Sequence, residues 1–539
     1  MPRAAAADPD RSQTAEAHLG EPVPDDDSPK EACGVFAVRA PGQPVAHLTY
    51  LGLYALQHRG QESAGMAVSD TEEITVVKDM GLVATVFNER TLAPLTGDLA
   101  IGHTRYSTTG NSTWRNAQPV YRDLGSLGFA LGHNGNLTNT RELADEIGML
   151  PGTVASDTDL VAELLSLDIE QARADSEPAI DEMVAPDLLG SALLRVLPRL
   201  EGAFSFVLMD EKRVYGVRDP NGFRPLCLGR LDNGGWVLAS ESPALDVIGA
   251  HFVREIDPGE LVVIDADGVT SVAAFPAERL DPKLCLFEFV YFARPDSQLY
   301  GQSVHHARVR MGELLAEQAP VEADMVMGVP ESGLPAAEGY ARASGIPYGQ
   351  GLVKNRYIGR TFIAPSQAMR ALGVRMKLNP LRDNIVGKRL VVVDDSIVRG
   401  TTQRPLVSML REAGATEVHL RISSPPVKHS CYYGIDIGNR SELLAANLSV
   451  EEIRAYLGVD SLAFITLDRL IEATGASGAG FCHACFTGDY PTSIPDGDTK
   501  AVLEVDSGDA TPNLLEGLAG LVDNDLPTVE ALRISGRSN

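Results

Sequence analysis

The sequence predicts two linked domains, an α+β domain followed by an α/β domain with a parallel sheet. One observation is length, because 539 residues are too many for one ordinary hydrophobic core. The other is a change of pattern along the chain. Short β-branched runs separated by turns come first, and apolar strands alternating with helices follow.

The first domain is predicted to span residues 33–270. Residues 1–32 are rich in Ala, Pro and Asp, a composition that buries too little apolar surface to fold, so a disordered leader is expected there. Short apolar runs typical of buried strands follow, with amphipathic helical segments between them. The runs are residues 34–38, 73–77 and 204–209, and a helical segment is 159–167.

The second domain is predicted to span residues 271–500. Strand-like segments at 325–329, 390–393 and 417–422 alternate with helical segments such as 404–413. Continuous apolar strands between helices indicate a parallel sheet covered on both faces. Residues 501–539 turn acidic and are interpreted as a loosely held tail.

The formal net charge of −27 argues against binding to nucleic acid, whose phosphates it repels. Small phosphorylated substrates remain compatible with it, because a local basic pocket or a bound cation reverses the field. No run approaches the roughly 18–20 apolar residues of a membrane span. The N-terminus lacks the apolar segment of a secretory signal. A cytoplasmic protein that binds neither membrane nor nucleic acid is therefore predicted.

Cys33 stands where the leader meets the first domain. Alone, a cysteine at the start of a strand is a packing residue. Four further segments follow it in order, at residues 57–62, 102–108, 132–137 and 156–159. In order and content these segments resemble the N-terminal-nucleophile glutamine amidotransferases. The resemblance implies that family's sandwich fold.

The same resemblance implies a role for each matching residue. Cys33 would be the nucleophile once the leader is removed, with its own α-amine (pKa ~7.7–8.0) as the base. His58, His103 and His133 would then be structural. The residues implied to bind glutamine and its oxyanion are Arg59 and Gly60, which shape the pocket; Arg105 for the α-carboxylate; Asn134 and Gly135 for the oxyanion; and Asp157 for the α-ammonium, with Asp159 as the alternative.

A second motif occupies residues 391–402, where an apolar strand meets two acids and a Gly/Thr loop that enters a helix. Backbone N–H groups at a helix N-terminus bind phosphate, and carboxylates suit ribose hydroxyls and Mg²⁺. The motif resembles the pyrophosphate-ribose signature of the type I phosphoribosyltransferases. The resemblance assigns phosphoribosyl pyrophosphate to Asp394, Asp395, Ser396, Arg399, Gly400, Thr401 and Thr402. Gln403 departs from the commoner Ser of that family.

Two other segments resemble parts of the same site. Residues 328–335 look like the pyrophosphate loop, in which Ser332 would join Asp394 and Asp395 around Mg²⁺. Residues 354–362 look like the mobile catalytic loop. The basic residues that would gather around phosphate are Lys354, Arg356, Arg360 and, further along, Lys377.

Both motif sets on one chain resemble the glutamine phosphoribosylpyrophosphate amidotransferases, over roughly residues 33–495. The resemblance implies the first step of de novo purine synthesis, in which glutamine, phosphoribosyl pyrophosphate and water give 5-phosphoribosylamine, glutamate and pyrophosphate. It also implies a homo-oligomer, typically a tetramer, inhibited by purine nucleotides. The alternatives are another glutamine amidotransferase, such as a sugar-phosphate transaminase, and an inactive nucleotide-binding regulatory homologue.

The six cysteines do not form the disulfide framework of a short secreted domain. One branch of the family carries a cleaved leader and a [4Fe–4S] cluster. The cysteines that resemble the four ligands of this cluster are Cys285, Cys431, Cys482 and Cys485. The spacing alone equally suits zinc. The remaining Cys227 is expected to be a small buried hydrophobe.

Overall fold

Two antiparallel sheets form the first domain in the computed structural model, which describes residues 33–106, 113–150, 152–175, 187–355, 376–437, 440–476 and 480–495. One sheet has the strand order β11-β9-β10-β1-β4-β2-β3, and the other has the order β13-β12-β8-β7-β6-β5. The strands are β1 (Gly34–Arg39), β2 (Ser63–Ser69), β3 (Ile74–Met80), β4 (Leu99–Arg105), β5 (Val120–Asp123), β6 (Gly128–Leu137), β7 (Gly202–Met209), β8 (Val214–Arg218), β9 (Cys227–Leu231), β10 (Trp236–Ala239), β11 (Ala250–Glu255), β12 (Glu260–Ile264) and β13 (Val269–Ala273).

The two sheets pack face to face, and helices cover their outer faces. Apolar side chains of both sheets, such as Val35 and Val207, share one buried cluster. The helices of this domain are α1 (Val45–Ala55), α2 (Val83–Val86), α3 (Glu89–Leu92), α4 (Thr140–Glu146), α5 (Asp157–Asp175), α6 (Leu188–Val196) and α7 (Pro243–Asp246). Helix α1 packs on β1 and β4, and α5 on β5 and β6. The result is a four-layered sandwich, the α+β domain that the sequence predicts.

The second domain is an α/β unit around a short parallel sheet. Its strands are β14 (Leu284–Cys285), β15 (Gln298–Leu299), β16 (Gln302–Ser303), β17 (Met325–Gly328), β18 (Leu352–Lys354), β19 (Leu378–Pro380), β20 (Arg389–Asp394), β21 (Glu417–Ile422), β22 (Ser461–Phe464) and β23 (Phe481–Cys482). Its helices are α8 (Val304–Gln318), α9 (Leu334–Ser344), α10 (Arg382–Ile385), α11 (Gln403–Glu412), α12 (Leu444–Asn447), α13 (Val450–Leu457), α14 (Leu467–Thr474) and α15 (Ala484–Thr487), and a π-helical turn spans Glu288–Phe292.

The parallel sheet has the order β17-β20-β21-β22, and it confirms the predicted strand–loop–helix alternation. The register pairs Gly328 with Val393 and Asp394 with Ile422. The carboxyl ends of these strands therefore meet at one edge of the sheet, where ligands bind in open α/β sheets.

Most predicted elements match the structure to within a few residues, and α5 is the main exception. The predicted segment 159–167 is the centre of a helix that runs from Asp157 to Asp175. The helix is longer because its buried side persists, with Leu165 and Ile169 continuing the buried positions that begin at Leu160.

The segment at residues 480–495 returns to the start of the second domain. Strand β23 pairs in parallel with β14, and Cys285 is the register partner of Cys482. None of the helices in the described ranges is long and apolar enough to cross a membrane.

Candidate active sites

Cys33 lies at the entrance to β1, between the two sheets. Its side chain is buried, and its Sγ lies 3.3 Å from the carbonyl oxygen of Tyr106 and accepts from the Tyr106 N–H at 3.4 Å. Because β1 and β4 pair with Gly34 opposite Thr104, Arg105 comes beside the thiol. Burial raises the pKa of the Cys33 thiol to about 11, with Arg105 opposing the rise. The thiol is therefore protonated at neutral pH unless a base takes its proton.

Asn134 and Gly135 lie next to each other in β6, facing the end of β4. The side chain of Asn134 is fully buried, and neither its nitrogen nor its oxygen has a hydrogen-bond partner among the residues that the structure describes. Gly135 has a φ of +148°, and a Cβ there would lie 2.0 Å from the carbonyl oxygen of Ala203. A side-chain amide and a glycine N–H in this position can both donate hydrogen bonds to a developing oxyanion.

Two histidines hold the sheets together behind this pair. Nε2 of His103 in β4 lies 2.9 Å from the carbonyl oxygen of His133 in β6. Burial lowers the pKa of His103 to about 3, so its ring is neutral and suited to this bond. This bond joins β4 to β6, which is the kind of structural role that the sequence predicts for His103 and His133.

Asp157 and Asp159, the two candidates for the glutamine ammonium, have different partners. Asp157 is buried at the start of α5, accepts from the backbone N–H groups of Leu137 and Thr158, and lies 3.4 Å from Nδ1 of His133. Burial opposes its charge, but His133 and these hydrogen bonds outweigh burial and lower the pKa of Asp157. Asp159 pairs instead with Arg122 at 2.6 Å.

Arg59 is fully buried and engaged by two carboxylates. Its guanidinium binds Glu241 and forms a bidentate pair with Glu288 at 2.6 and 3.1 Å, while Nε donates to the Cys33 carbonyl at 3.3 Å. Burial disfavours the cation, yet the two carboxylates outweigh it and raise the pKa of Arg59. Arg59 thus holds the backbone of Cys33. Gly60 beside it leaves no room for a Cβ, which would lie 2.5 Å from the backbone of Thr104.

Asp394 ends β20 at the carboxyl edge of the parallel sheet, and Asp395 follows it directly. Asp395 accepts from the hydroxyls of Ser332 at 2.6 Å and Ser396 at 2.5 Å, and Asp394 accepts from Gln403 at 3.4 Å. Burial and the neighbouring charge raise the pKa of Asp394 well above its ordinary value, and burial also raises that of Asp395. Two buried carboxylates side by side make a site that favours a cation.

The loop after these acids leads into α11. Gly400 has a φ of +73°, which is the left-handed region that favours glycine. Thr401 and Thr402 follow it at the partly exposed helix entrance, while Arg399 pairs with Glu442 at 2.8 Å. The two threonines therefore lie beside the two carboxylates at the start of α11, the end of a helix where backbone N–H groups can bind phosphate.

Two of the predicted basic residues, Lys354 and Lys377, lie close together where β18 ends and β19 begins. Lys354 ends β18 and pairs in register with Leu378 of β19, and the backbone of Asn355 bonds to that of Lys377. The ammonium of Lys354 is 3.9 Å from the Glu331 carboxylate. Arg356 and Arg360 lie outside the described residues.

The four cysteines of the proposed cluster come from three parts of the second domain. Cys285 and Cys482 are strand partners, Cys485 follows in α15, and Cys431 accepts from the Tyr433 N–H at 3.4 Å. Burial, followed by the three neighbouring cysteines, raises the pKa of Cys485 well above its ordinary value. Within the described ranges, no three His, Cys, Asp or Glu side chains come together as the ligands of a single metal ion. Cys227 lies apart in β9, where its Sγ donates to the Ala239 carbonyl.

A buried ionic network that the sequence does not predict joins the two domains. Glu288 binds Arg59 of the first domain and also Arg224 at 3.1 Å, and all three side chains are almost fully buried. A lone carboxylate within the apolar run 284–293 is a signal for a buried partner. The identity of that partner depends on the tertiary fold.

Comparisons with known proteins agree with this architecture. Residues 103–247 match the glutamine amidotransferase domain family, and residues 302–426 match the phosphoribosyl transferase domain family. An amidophosphoribosyltransferase of Mycobacterium leprae is 55% identical over 489 residues, covering 88% of this chain and 84% of that relative. One from Synechococcus elongatus is 51% identical, covering 89% and 95%.

Solved structures show the same relationship. The glutamine phosphoribosylpyrophosphate amidotransferase from B. subtilis, complexed with ADP and GMP, aligns with a TM-score of 0.78 and 43% identity over 88% of this chain and 100% of that chain. Sequence identity and fold agree over nearly the whole of both chains. This chain therefore belongs to the amidophosphoribosyltransferase family.

Proposed function

We propose that this chain releases ammonia from glutamine at Cys33 and transfers it to phosphoribosyl pyrophosphate at the Asp394–Thr402 loop. The products are glutamate, 5-phosphoribosylamine and pyrophosphate, as the family's first step of purine synthesis requires. The observation that carries the proposal is the pairing of two sites in one chain. A buried thiol lies in the same sandwich as the Asn134 amide, which has no hydrogen-bond partner in the described part of the chain. Buried acids lie where a parallel strand leads into a helix.

At the first site Cys33 attacks the carboxamide carbon, and the tetrahedral intermediate collapses to a thioester and ammonia. Water then hydrolyses the thioester to glutamate. A thiol whose pKa is raised to about 11 needs a base, and the α-amine freed by removal of residues 1–32 supplies one in place. Asn134 and the Gly135 N–H stabilise the oxyanion.

The amino-acid end of glutamine would bind Arg105 and Asp157. Arg105 is buried beside the thiol and suits the α-carboxylate. Asp157 is favoured over Asp159 for the α-ammonium because Asp159 already pairs with Arg122. We assign to Arg59 the role of holding the Cys33 backbone. Gly60 allows its chain to pass close to the backbone of Thr104.

At the second site catalysis is positioning and neutralisation of the departing pyrophosphate. Asp394 and Asp395 would bind the ribose hydroxyls and Mg²⁺, and Ser332 would lie beside the cation. Mg²⁺ would neutralise negative charge on the departing pyrophosphate. Ser396, Arg399, Gly400, Thr401 and Thr402 would surround the 5′-phosphate. Lys354 and Lys377, with Arg356 and Arg360, would complete the basic side.

We propose that the four cysteines hold a [4Fe–4S] cluster rather than zinc, because they resemble the ligands of the cluster-bearing branch of the family. A zinc ion takes its thiolates at about 2.3 Å from one centre, whereas each iron of the cluster takes a single thiolate. The described cysteines are near neighbours, since Cys285, Cys431 and Cys482 all influence the pKa of Cys485. The cluster would connect Cys285, Cys431, Cys482 and Cys485 and stabilise the domain.

Regulation and assembly complete the proposal. The B. subtilis relative was solved with ADP and GMP bound, which supports purine nucleotides as inhibitors of this chain. A homotetramer and a cytoplasmic location remain predictions from the family resemblance.

The test is pyrophosphate release from phosphoribosyl pyrophosphate with glutamine or with ammonium as the nitrogen source. Cys33→Ser is expected to abolish the glutamine reaction and leave the ammonium reaction. Loss of both reactions in a folded Cys33→Ser protein would contradict the division into two sites. Glutamine cleavage without pyrophosphate release would favour a sugar-phosphate transaminase, and no activity at all would favour a regulatory homologue.

A further inference from the structure

A segment of the second domain lies directly behind the oxyanion site of the first. We refer to this segment, Cys431–Gly434, as the backing segment. It starts at one of the four clustered cysteines and ends against β6, the strand that carries Asn134 and Gly135.

The contact between Gly434 and Gly135 is backbone against backbone. A Cβ built on Gly434 would lie 2.8 Å from the carbonyl carbon of Gly135, 2.9 Å from its Cα and 3.0 Å from its oxygen. On its other side Gly135 is limited by Ala203, whose carbonyl oxygen would be 2.0 Å from a Cβ on Gly135. The Cα and carbonyl group of Gly135 are therefore confined between two elements, and only one of these elements belongs to the same domain as Gly135.

Hydrogen bonds hold the backing segment in place. Nδ2 of Asn136 donates to the Tyr432 carbonyl at 3.1 Å. Arg224 donates to the Tyr433 carbonyl from Nε at 2.9 Å and from Nη2 at 2.7 Å. The Tyr433 ring stacks on Phe223 with the centroids 4.2 Å apart. Backbone and side chain are thus both fixed against the first domain.

We propose that the backing segment is a positioning element for the glutamine reaction, because it limits the movement of the Gly135 Cα and carbonyl group and so orients the N–H of the same residue, which donates to the oxyanion. The inference rests on the proposed function of Asn134 and Gly135. Oxyanion donors act only when they are held at hydrogen-bond distance from the developing charge. A part of the phosphoribosyltransferase half thereby completes the glutaminase site.

The first test is Gly434→Ala, with Gly234→Ala as the matched control. Gly434 and Gly234 have φ values of +94° and +92°, but a Cβ on Gly234 would meet nothing within 4 Å. Both variants therefore carry the same backbone strain, and only Gly434→Ala presses on Gly135.

For Gly434→Ala we expect kcat of the glutamine reaction to fall by about 10- to 100-fold, approaching the ~10²–10³ that loss of one donor costs. The KM for glutamine should change little, because the contact acts in the transition state. The ammonium reaction should stay at the parent rate, and Gly234→Ala should keep both reactions. Asn136→Ala, which removes the bond to Tyr432 without a clash, should reduce the same kcat in the same direction.

Two results would overturn the inference. One is a parent-like kcat for glutamine in Gly434→Ala, and the other is an equal loss of both reactions in a variant whose unfolding temperature is unchanged. Should Gly434→Ala fail to fold, Asn136→Ala decides by the same criteria. Glutamine hydrolysis by the parent, measured without phosphoribosyl pyrophosphate, tests the proposed function separately. A parent without hydrolysis would refute that function itself.

Discussion

The side chain of Asn134 illustrates how single residues define the first site. A buried amide whose donor and acceptor both lack partners in the described structure costs about 1–3 kcal/mol per unpaired group. An oxyanion that binds its nitrogen would recover part of this cost only during the reaction. The arrangement therefore favours the transition state over the ground state.

Asn134→Ala is expected to lower kcat of the glutamine reaction by ~10²–10³ and to leave the ammonium reaction unchanged. Removing a buried amide that has no partner among the described residues should not lower the unfolding temperature. Asn233→Ala, in the turn between β9 and β10, is the control. Steady-state kinetics and thermal unfolding measure both effects, and a large loss of stability without a change in kcat would contradict the assignment.

Ser332 supports Asp395 at the second site through a hydrogen bond of 2.6 Å. For Ser332→Ala we expect the Mg²⁺ concentration at half-maximal ammonium-dependent activity to rise by about 10–100-fold, as for lost partners of metal ligands. Ser408→Ala, on the exposed side of α11, is the control. An unchanged Mg²⁺ requirement in Ser332→Ala would remove this residue from the cation site.

At the scale of elements, the π-helical turn Glu288–Phe292 connects the two domains. Its first residue binds Arg59 and Arg224, and Glu241, at the end of β10, binds Arg59 and His58. Buried charges of this kind are costly unless every one of them is paired. Losing one member therefore leaves an uncompensated charge between the sandwich and the second domain.

The Glu241 carboxylate should make stability depend on pH. Burial raises its pKa, but His58 and Arg59 outweigh burial and hold it below the ordinary 4.5. The folded protein therefore binds fewer protons than the unfolded chain, and this stabilisation, complete above the ordinary pKa, is lost as the pH falls below it. We expect Glu241→Gln to cost about 3–5 kcal/mol near pH 7 and less at acid pH.

Urea unfolding at neutral and acid pH measures the difference. Glu72→Gln, at an exposed turn, is the matched control and should follow the parent at both pH values. A Glu241→Gln protein that loses as much stability on acidification as the parent would exclude this carboxylate as a source of the acid dependence.

The same elements show what a sequence predicts well. Strand β21 is predicted at 417–422 and spans Glu417–Ile422, because Val418, Leu420 and Ile422 alternate with polar residues at the two-residue period of a strand. Both candidate sites are predicted from several motifs, each of which is a short contiguous segment of the chain. The Glu288–Arg59 pair and the Gly434–Gly135 contact escaped prediction. Their partners are distant in sequence and meet only through the packing of two domains.

At the scale of the whole molecule, four cysteines connect the beginning and the end of the second domain. We expect purified protein to contain iron and sulfide in about equal amounts, close to four of each per chain for a [4Fe–4S] cluster. Cys485→Ser should lose metal and unfold at a lower temperature, because the thiolate ligand is missing. Cys227→Ser, with its thiol far from the others in β9, should keep the metal.

Elemental analysis and the unfolding temperature decide this. If the protein contains one zinc per chain, which is retained in Cys227→Ser and lost in Cys485→Ser, the bound metal is zinc and not an iron–sulfur cluster. Metal retained in Cys485→Ser would exclude that cysteine as a ligand.

The pairing of β14 with β23 also constrains the order of events during protein synthesis. Cys285 leaves the ribosome long before its strand partner Cys482, and Cys485 comes later still. The two-stranded ladder and the complete set of four thiols cannot exist until nearly the whole described chain has been translated. A bound metal group would therefore mark a chain that has been translated past Cys485, and chains terminated before this residue would be left without it.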